Sequence, residues 1–536
     1  MALKIYVIVQ CSFITVEKIW NKNKRNAKAR FINCYLCANF SPLLMKELKP
    51  IMFVGTCSDA GKSVINAGFC RILKQDGYRP APFKAQNMSL NSYATPEGFE
   101  IGRAQATQAE ACEIACHTDM NPVLLKPSGE MMSQVILNGK PVGNRSAYEY
   151  FRKDDNARLF DEAYAAFERL QKRYSPIVME GAGSISELNL KKRDIVNMRM
   201  AKRVGADVYL VADIDRGGVF ASVYGSIMLL EEEERQLIKG IIINKFRGDV
   251  RLFDEGRQII QDLTGIPVVG VVPYFKDIYI EDEDSVVLDA RNSEAAEGKV
   301  NIAVVKLQQM SNFTDFNALQ FDKRVHVYYT TDLQQIEKAD IVILPGSKST
   351  IKDLQFIREK QIPEVLKKMY AAGKTVIGIC GGYQMLGQNI SDPEQIEGAV
   401  KSVEGIGLLP MDTVITDEKT TVQQQFYFMD DKHVCDGYEI HMGQSTFNSN
   451  VAPLVRTMDG HTDGVYLSER CWGTYMHGIL DNATVINHLL RPFSSGKEDI
   501  FCYKTFKDDE YNRLAKHLRQ HVNIESIYES ASVDIK

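Results

Sequence analysis

The sequence predicts an α/β protein made of two successive parallel-sheet domains, and three observations carry that expectation. From Lys49 onward, short β-rich runs alternate with helical stretches, the pattern of strands joined by helical crossovers. The run IMFVG at 51–55 passes through the glycine-rich loop GTCSDAGKS into a helical stretch. Much later, KTVIGICGG sets a cysteine between glycines at the end of another apolar run.

Composition allows this architecture and excludes several others. With 536 residues, 45% hydrophobic and 25% charged, the chain holds material for two or more cores. A formal net charge of −5 supplies no broad basic surface, so no nucleic-acid partner is expected. Eleven cysteines, odd in number and scattered, suit a reduced cytoplasmic protein better than a disulfide framework. The one CxxC, Cys34 and Cys37, lacks the second pair that would make a zinc site. No apolar run reaches the roughly 18–20 residues of a spanning helix, and no membrane partner is expected. Residues 1–44 place a basic cluster, NKNKRNAKAR, after a short apolar run, the reverse of a secretory signal. They are expected to lie outside the fold, with Met45 as an alternative start.

In chain order, residues 45–285 form the first domain, with PIVME, ADVYLVAD and GIIIN as further strands. Each ends in glycine, acidic or amide residues, where the carboxyl ends of sheet strands present ligand-binding loops. Around 281–299 the chain turns acidic and small-residue rich, and residues 286–299 are read as a linker. VNIAVV, ADIVILPGS and KTVIGICGG begin a second α/β series over 300–495. The tail, 496–536, has helical spacing and is expected to dock on the second domain.

IMFVGTCSDAGKSVINAGFC reads as strand, phosphate-binding loop and helix. Consecutive backbone N–H groups and a helix N-terminus would face phosphates, with Lys62 as a point charge and Ser63 as a Mg²⁺ ligand. Gly55 lies seven residues before Lys62, one more than the usual spacing, and Thr56 takes the first-glycine position. Thr56, Asp59, Gly61, Lys62 and Ser63 are therefore candidate ATP contacts. Lys84, at the end of a second strand, suits a phosphate or acyl phosphate, although a surface lysine would look the same. Glu180, ending VME, could share Mg²⁺ with Ser63, since hard cations take oxygen ligands. Asp213, Asp215 and Arg216 close another strand, and Asn244 with Lys245 stands where a base-reading loop would lie.

Gly378, Cys380 and Gly382 form GxCxG on a strand-to-helix turn, the thiol version of a nucleophile elbow. His477, in GTYMHGIL, is the candidate base. The N–H groups of Gly381, after the cysteine, and of Gly346, in the ILPGSKST loop with Ser347, are candidate oxyanion donors.

GxCxGxQ, here Gly378, Cys380, Gly382 and Gln384, resembles the class I glutamine amidotransferase domain, in which thiolate attacks the side-chain amide of L-glutamine and releases ammonia. Most such domains have His-x-Glu, whereas this chain has His477-Gly478-Ile479, so the carboxylate that orients the imidazole is missing there; Glu439 or His441 would have to assist. The phosphate loop, GTxxxxGK[ST], resembles that of dethiobiotin synthetase and the partition ATPases. Ammonia and ATP together imply amidation of a carboxylate through an acyl phosphate. FKAQNMSLNSY, EIGRAQATQAEAC, DIVNM, DIDRGGVFA, NKFRGD, SNFTDF and LPGSK resemble the cobyric acid synthase family over nearly all of residues 49–490. That resemblance implies amidation of carboxylates b, d, e and g of adenosylcobyrinic acid a,c-diamide, a corrinoid. It also makes Asn87, Asn91, Gln105 and Gln108 candidate substrate contacts. A cobyrinic acid a,c-diamide synthase remains open, as does a partition-type or regulatory ATPase with an inert amidotransferase-like domain.

Overall fold

A computed structural model describes residues 47–127, 132–146, 153–281, 292–493 and 501–533. The extension 1–44, with Cys34 and Cys37, and linker residues 286–291 lie outside the described residues.

The first sheet has six strands: β1 (Ile51–Gly55), β2 (Ala81–Phe83), β3 (Ile177–Glu180), β4 (Asp207–Asp213), β5 (Ile238–Phe246) and β6 (Val268–Pro273). Their order is β6-β5-β4-β1-β3-β2, with every neighbouring pair parallel. All five residues of β1 are buried, which is why it reads as a continuous apolar run and not as an alternating one. The chain leaves β1 toward β2 on one side and resumes at β4 on the other, so a crevice opens at the carboxyl ends of the central strands. Helices α1 (Lys62–Gln75) and α2 (Arg103–Ala111) border that crevice. A smaller sheet, from strands Gln86–Met88, Val123–Pro127, Met132–Leu137 and Lys140–Ser146, extends from this domain toward the second.

The second domain contains β7 (Val300–Val305), β8 (Val325–Thr330), β9 (Ile341–Leu344), β10 (Thr375–Ile379), β11 (Met411–Phe428), β12 (Val434–Phe447), β13 (Val465–Ser468) and β14 (Cys471–Thr474). Its main sheet runs β8-β7-β9-β10-β14-β13, parallel except for the antiparallel edge pair β13 and β14. The long antiparallel hairpin of β11 and β12 stands beside it. Helix α3 (Gly381–Leu386) follows β10 directly, with Cys380 at the junction.

The tail corrects one expectation. Helices α4 (Tyr503–His521) and α5 (Ile524–Ala531) pack chiefly on the first domain. Leu514 and Leu518 join the core beside Phe69 and Ile72 of α1, and Arg519 pairs with Asp76 at 2.6 Å. Gly68 makes room for them: a Cβ there would lie 2.3 Å from Leu518 Cδ1. Among the described residues the start of α4 meets the second domain, where the Phe506 ring lies 4.5 Å from that of Phe321. The helical spacing revealed an apolar face but carried no information about which surface would cover it.

Candidate functional site

Two cavities stand at the ends of the two sheets. The first, of about 890 Å³, is bordered by the glycine loop, the start of α1 and the ends of β2 and β3. Glu180 ends β3 fully buried, and three groups converge on it. Ser63 Oγ donates to its Oε1 at 2.7 Å, Lys84 Nζ to the same oxygen at 3.1 Å, and Gln108 Nε2 to Oε2 at 2.7 Å. Lys62 Nζ donates to the carbonyls of Cys57 at 3.1 Å and Gly183 at 3.0 Å, which draws the glycine loop and the loop after β3 together. Thr56 N–H donates to Val211 O at 3.1 Å, fixing the loop to β4, and Asp59 pairs with Arg216 at 3.2 Å. Asn244 Nδ2 donates to Ala60 O at 2.9 Å, so this amide braces the glycine loop. Asp213 pairs with Lys245 at 2.9 Å and Asp215 pairs with Arg247. Asn197 was not singled out as a site residue. Its Oδ1 accepts from Ala182 N–H at 3.1 Å and holds the loop after Glu180.

Three expected substrate contacts are placed elsewhere. Among the described residues the cavity wall includes Lys84, Ser89 and Gln108 but not Asn87, Asn91 or Gln105. Asn87 and Gln105 are buried against each other, Nδ2 to Oε1 at 3.3 Å. Asn91 Oδ1 accepts from Phe313 N–H at 3.1 Å, across the domain boundary. Asn87 and Asn91 thus serve a neighbouring amide and the backbone, whereas the buried Nε2 of Gln105 has no hydrogen-bond partner among the described residues.

The second cavity, of about 260 Å³, contains Cys380 and His477 on its wall. Cys380 adopts φ 52° and ψ −110°, a strained conformation for a residue with a Cβ, at the β10–α3 junction. Gly382 makes that turn possible, since a Cβ there would fall 2.0 Å from Leu344 O. The N–H of Cys380 is held by Thr474 O at 2.8 Å. Gly381 opens α3, where first-turn N–H groups lack intrahelical acceptors. Its Cα faces the backbone of Ser347, and Gly346 lies against the His477 ring. Gln384 is structural in this placement: Oε1 accepts from Thr350 Oγ1 at 2.9 Å, and Nε2 donates to Tyr475 Oη at 3.3 Å.

His477 is 1% exposed and shares the cavity wall with Cys380, whose Sγ donates to Ile440 O at 3.6 Å. Its Nδ1 faces Asp315 Oδ2 at 2.7 Å, while Asp315 Oδ1 accepts from Gly478 N–H at 3.0 Å. Burial pushes the imidazole down, but Asp315 and Cys380 together outweigh it and bring His477 up to about 10. Asp315 is thus the orienting carboxylate. The expectation that Glu439 or His441 would serve is corrected: His441 Nε2 pairs with Glu439 at 3.0 Å and the ring stacks on Tyr475 at 3.8 Å. The string SNFTDF contained Asp315, but nothing local tied it to a histidine 162 residues away.

The same string separates the cavities. Ser311 and Asn312 line the thiol cavity and Phe313 lines the other. Asn312 Nδ2 donates to Ser92 O at 3.0 Å and to Tyr438 Oη at 2.9 Å, fastening this wall to the first domain.

Comparisons with known proteins agree with this arrangement. Residues 51–286 match the family described as the CobQ/CobB/MinD/ParA nucleotide binding domain, and residues 301–485 match the CobB/CobQ-like glutamine amidotransferase domain. A cobyric acid synthase of Bacteroides fragilis is 58% identical over 487 residues, covering 90% of this chain and 98% of that protein. One from Parabacteroides distasonis is 59% identical over 493 residues, 91% and 99% of the two chains. A more distant cobyric acid synthase, from Syntrophobacter fumaroxidans, is 46% identical over 509 residues, 90% and 99%. A nucleotide-binding domain and a glutamine amidotransferase domain in one chain, matched at this identity over 90–91% of its length, show that the protein belongs to the cobyric acid synthase family.

Proposed function

We propose that this chain is a glutamine-hydrolysing amide ligase that converts carboxylates b, d, e and g of adenosylcobyrinic acid a,c-diamide into amides, giving adenosylcobyric acid in cobalamin biosynthesis. The observation that carries the chemistry is the pairing of a Cys380–His477–Asp315 site with a separate phosphate-loop cavity behind a shared wall.

In the thiol cavity, Cys380 Sγ attacks the side-chain carbonyl carbon of L-glutamine, and the N–H groups of Gly381 and Gly346 receive the developing oxyanion. His477, held by Asp315, gives its proton to the departing ammonia and then takes one from the water that hydrolyses the thioester, releasing glutamate. In the other cavity, ATP is the co-substrate: the corrinoid carboxylate takes its terminal phosphoryl group, because hydroxide is too poor a leaving group for direct displacement, and ammonia then expels phosphate. Thr56, Asp59, Gly61, Lys62 and Asn244 build or brace the nucleotide cradle, and Lys84 neutralises phosphoryl oxygen. Ser63 and Glu180 offer a hydroxyl and a carboxylate oxygen 2.7 Å apart, an all-oxygen pair that fits Mg²⁺ with phosphate and water completing its shell. When bound there, Mg²⁺ would supply charge neutralisation for the phosphates.

The intact Cys–His–Asp geometry favours this reading over an ATPase with an inert second domain. The test is incubation with ATP, Mg²⁺, glutamine and adenosylcobyrinic acid a,c-diamide, with amides counted by product mass. Four additions are expected. An unchanged substrate, or amidation only of a corrinoid lacking the a and c amides, would reject the assignment. C380S should abolish glutamine-dependent synthesis and retain synthesis with added ammonium; loss of both would defeat the two-site scheme.

A further inference from the structure

The thiol cavity carries more charge than thiol chemistry requires. Glu100, from the first domain, is buried beneath it and holds two lysines. Lys126 Nζ donates to Oε1 at 2.7 Å, Lys419 takes Oε2, and Lys126 also reaches Ser92 Oγ at 2.9 Å. These two cations are already committed. Lys348 lies on the same cavity, next to the Gly346–Ser347 loop, and makes no ion pair among the described residues. Glu397 also lines it, anchored through Oε2 by Ile351 N–H at 3.0 Å. A lysine outside the Glu100 cluster and a carboxylate thus line, with the nucleophile, a space of about 260 Å³, below the usual range of drug-sized pockets and suited to one amino acid.

Glutamine presents an amide to the thiol at one end and a zwitterion at the other. We propose that Lys348 and Glu397 recognise that zwitterion, Lys348 receiving the α-carboxylate and Glu397 the α-ammonium, and so select free glutamine over other primary amides. This rests on the glutaminase reading of Cys380. The electrostatics agree with it: burial, with Lys126 and Lys419 nearby, pushes Lys348 down to about 8, and burial pushes Glu397 up to about 7. Lys348 and Glu397 feel each other's charge, and in both burial outweighs it.

The test uses the full-length chain and three amides: L-glutamine, L-glutaminamide, which lacks the α-carboxylate, and glutaramic acid, which lacks the α-ammonium. Wild type should favour glutamine over each analogue by tenfold or more in kcat/KM, as expected for a charge-assisted hydrogen bond. K348M should raise KM for glutamine at least tenfold with little change in kcat and erase the preference over glutaminamide. E397Q should erase the preference over glutaramic acid. Ammonium-driven amidation should persist in both and reports that they fold. A wild type indifferent to either analogue overturns the proposal without any variant, and so does a variant that keeps its preference. A wild type that hydrolyses no glutamine fails at the underlying reading, which the parallel ammonium assay distinguishes.

Discussion

At His477 two consequences of burial oppose each other: the interior disfavours an imidazolium, yet it also strengthens the pull of Asp315, and the second effect wins. The folded value lies above the unfolded one, so the associated stability is fully present below about 6.5 and is lost as pH rises through about 10. The alkaline limb of glutaminase kcat/KM should therefore lie near pH 10, and D315N should move it toward neutrality. That substitution should also lower glutaminase kcat by roughly 10²–10⁴, by analogy with the orienting acid of serine triads, while ammonium-dependent amidation stays unchanged. A pH–rate profile with both nitrogen sources checks this, and an unshifted limb would remove Asp315 from its role. Cys380 was legible in the sequence because an elbow is local: its glycines stand within two residues. Asp315 was not, because its meeting with His477 exists only after β7, β10 and β14 share a sheet. Asn91 shows a related limit, since an amide that braces buried backbone looks the same in sequence as one that faces a ligand.

At the scale of elements, the strand–loop–helix of β1 and α1 and the strand–elbow–helix of β10 and α3 could be read from runs of a dozen or so residues. The docking of α4 could not, since its partner groove is made by Gly68 on a helix more than 400 residues earlier. The groove supports a direct prediction. L514A should destabilise the first domain by roughly 2–5 kcal/mol, the usual range for removing a buried leucine side chain, and should leave glutaminase activity of the folded protein intact. Denaturant unfolding monitored beside glutaminase assays tests it. A loss under about 1 kcal/mol would contradict the packing of α4 on α1.

Across the whole molecule, a buried charge network joins the domains and the tail. Arg103 on α2 grips Glu281 at 2.7 Å, and Lys507 and Tyr503 of α4 reach the same carboxylate. Burial pushes Glu281 up, but Arg103 and Lys507 outweigh it and lower it to about 2. Its contribution is therefore present above about 4.5 and is lost as pH falls toward 2. Asp481 in the same network behaves oppositely: burial raises it to about 8, and its buried Oδ1 has no hydrogen-bond partner among the described residues. The folded state keeps that proton while the unfolded chain releases it, so stability declines from about pH 4 to pH 8. D481N should remove the decline, raising Tm relative to wild type more at pH 8 than at pH 5; an equal shift at both would place the proton elsewhere. The sequence marked the acidic stretch near 281 as a boundary, which its composition suggested, but gave no sign that Glu281 itself is an anchor.

The wall formed by residues 311–313 has a consequence for engineering. Its two faces serve different reactions, and its fastenings, Asn91 to Phe313 and Ser92 to Asn312, come from opposite halves of the chain. A chimera that paired either half with a foreign counterpart would inherit only one side of each fastening. Segments 91–92 and 311–313 should therefore be transplanted together, as a single cassette, if a hybrid is to keep the wall between its two chambers.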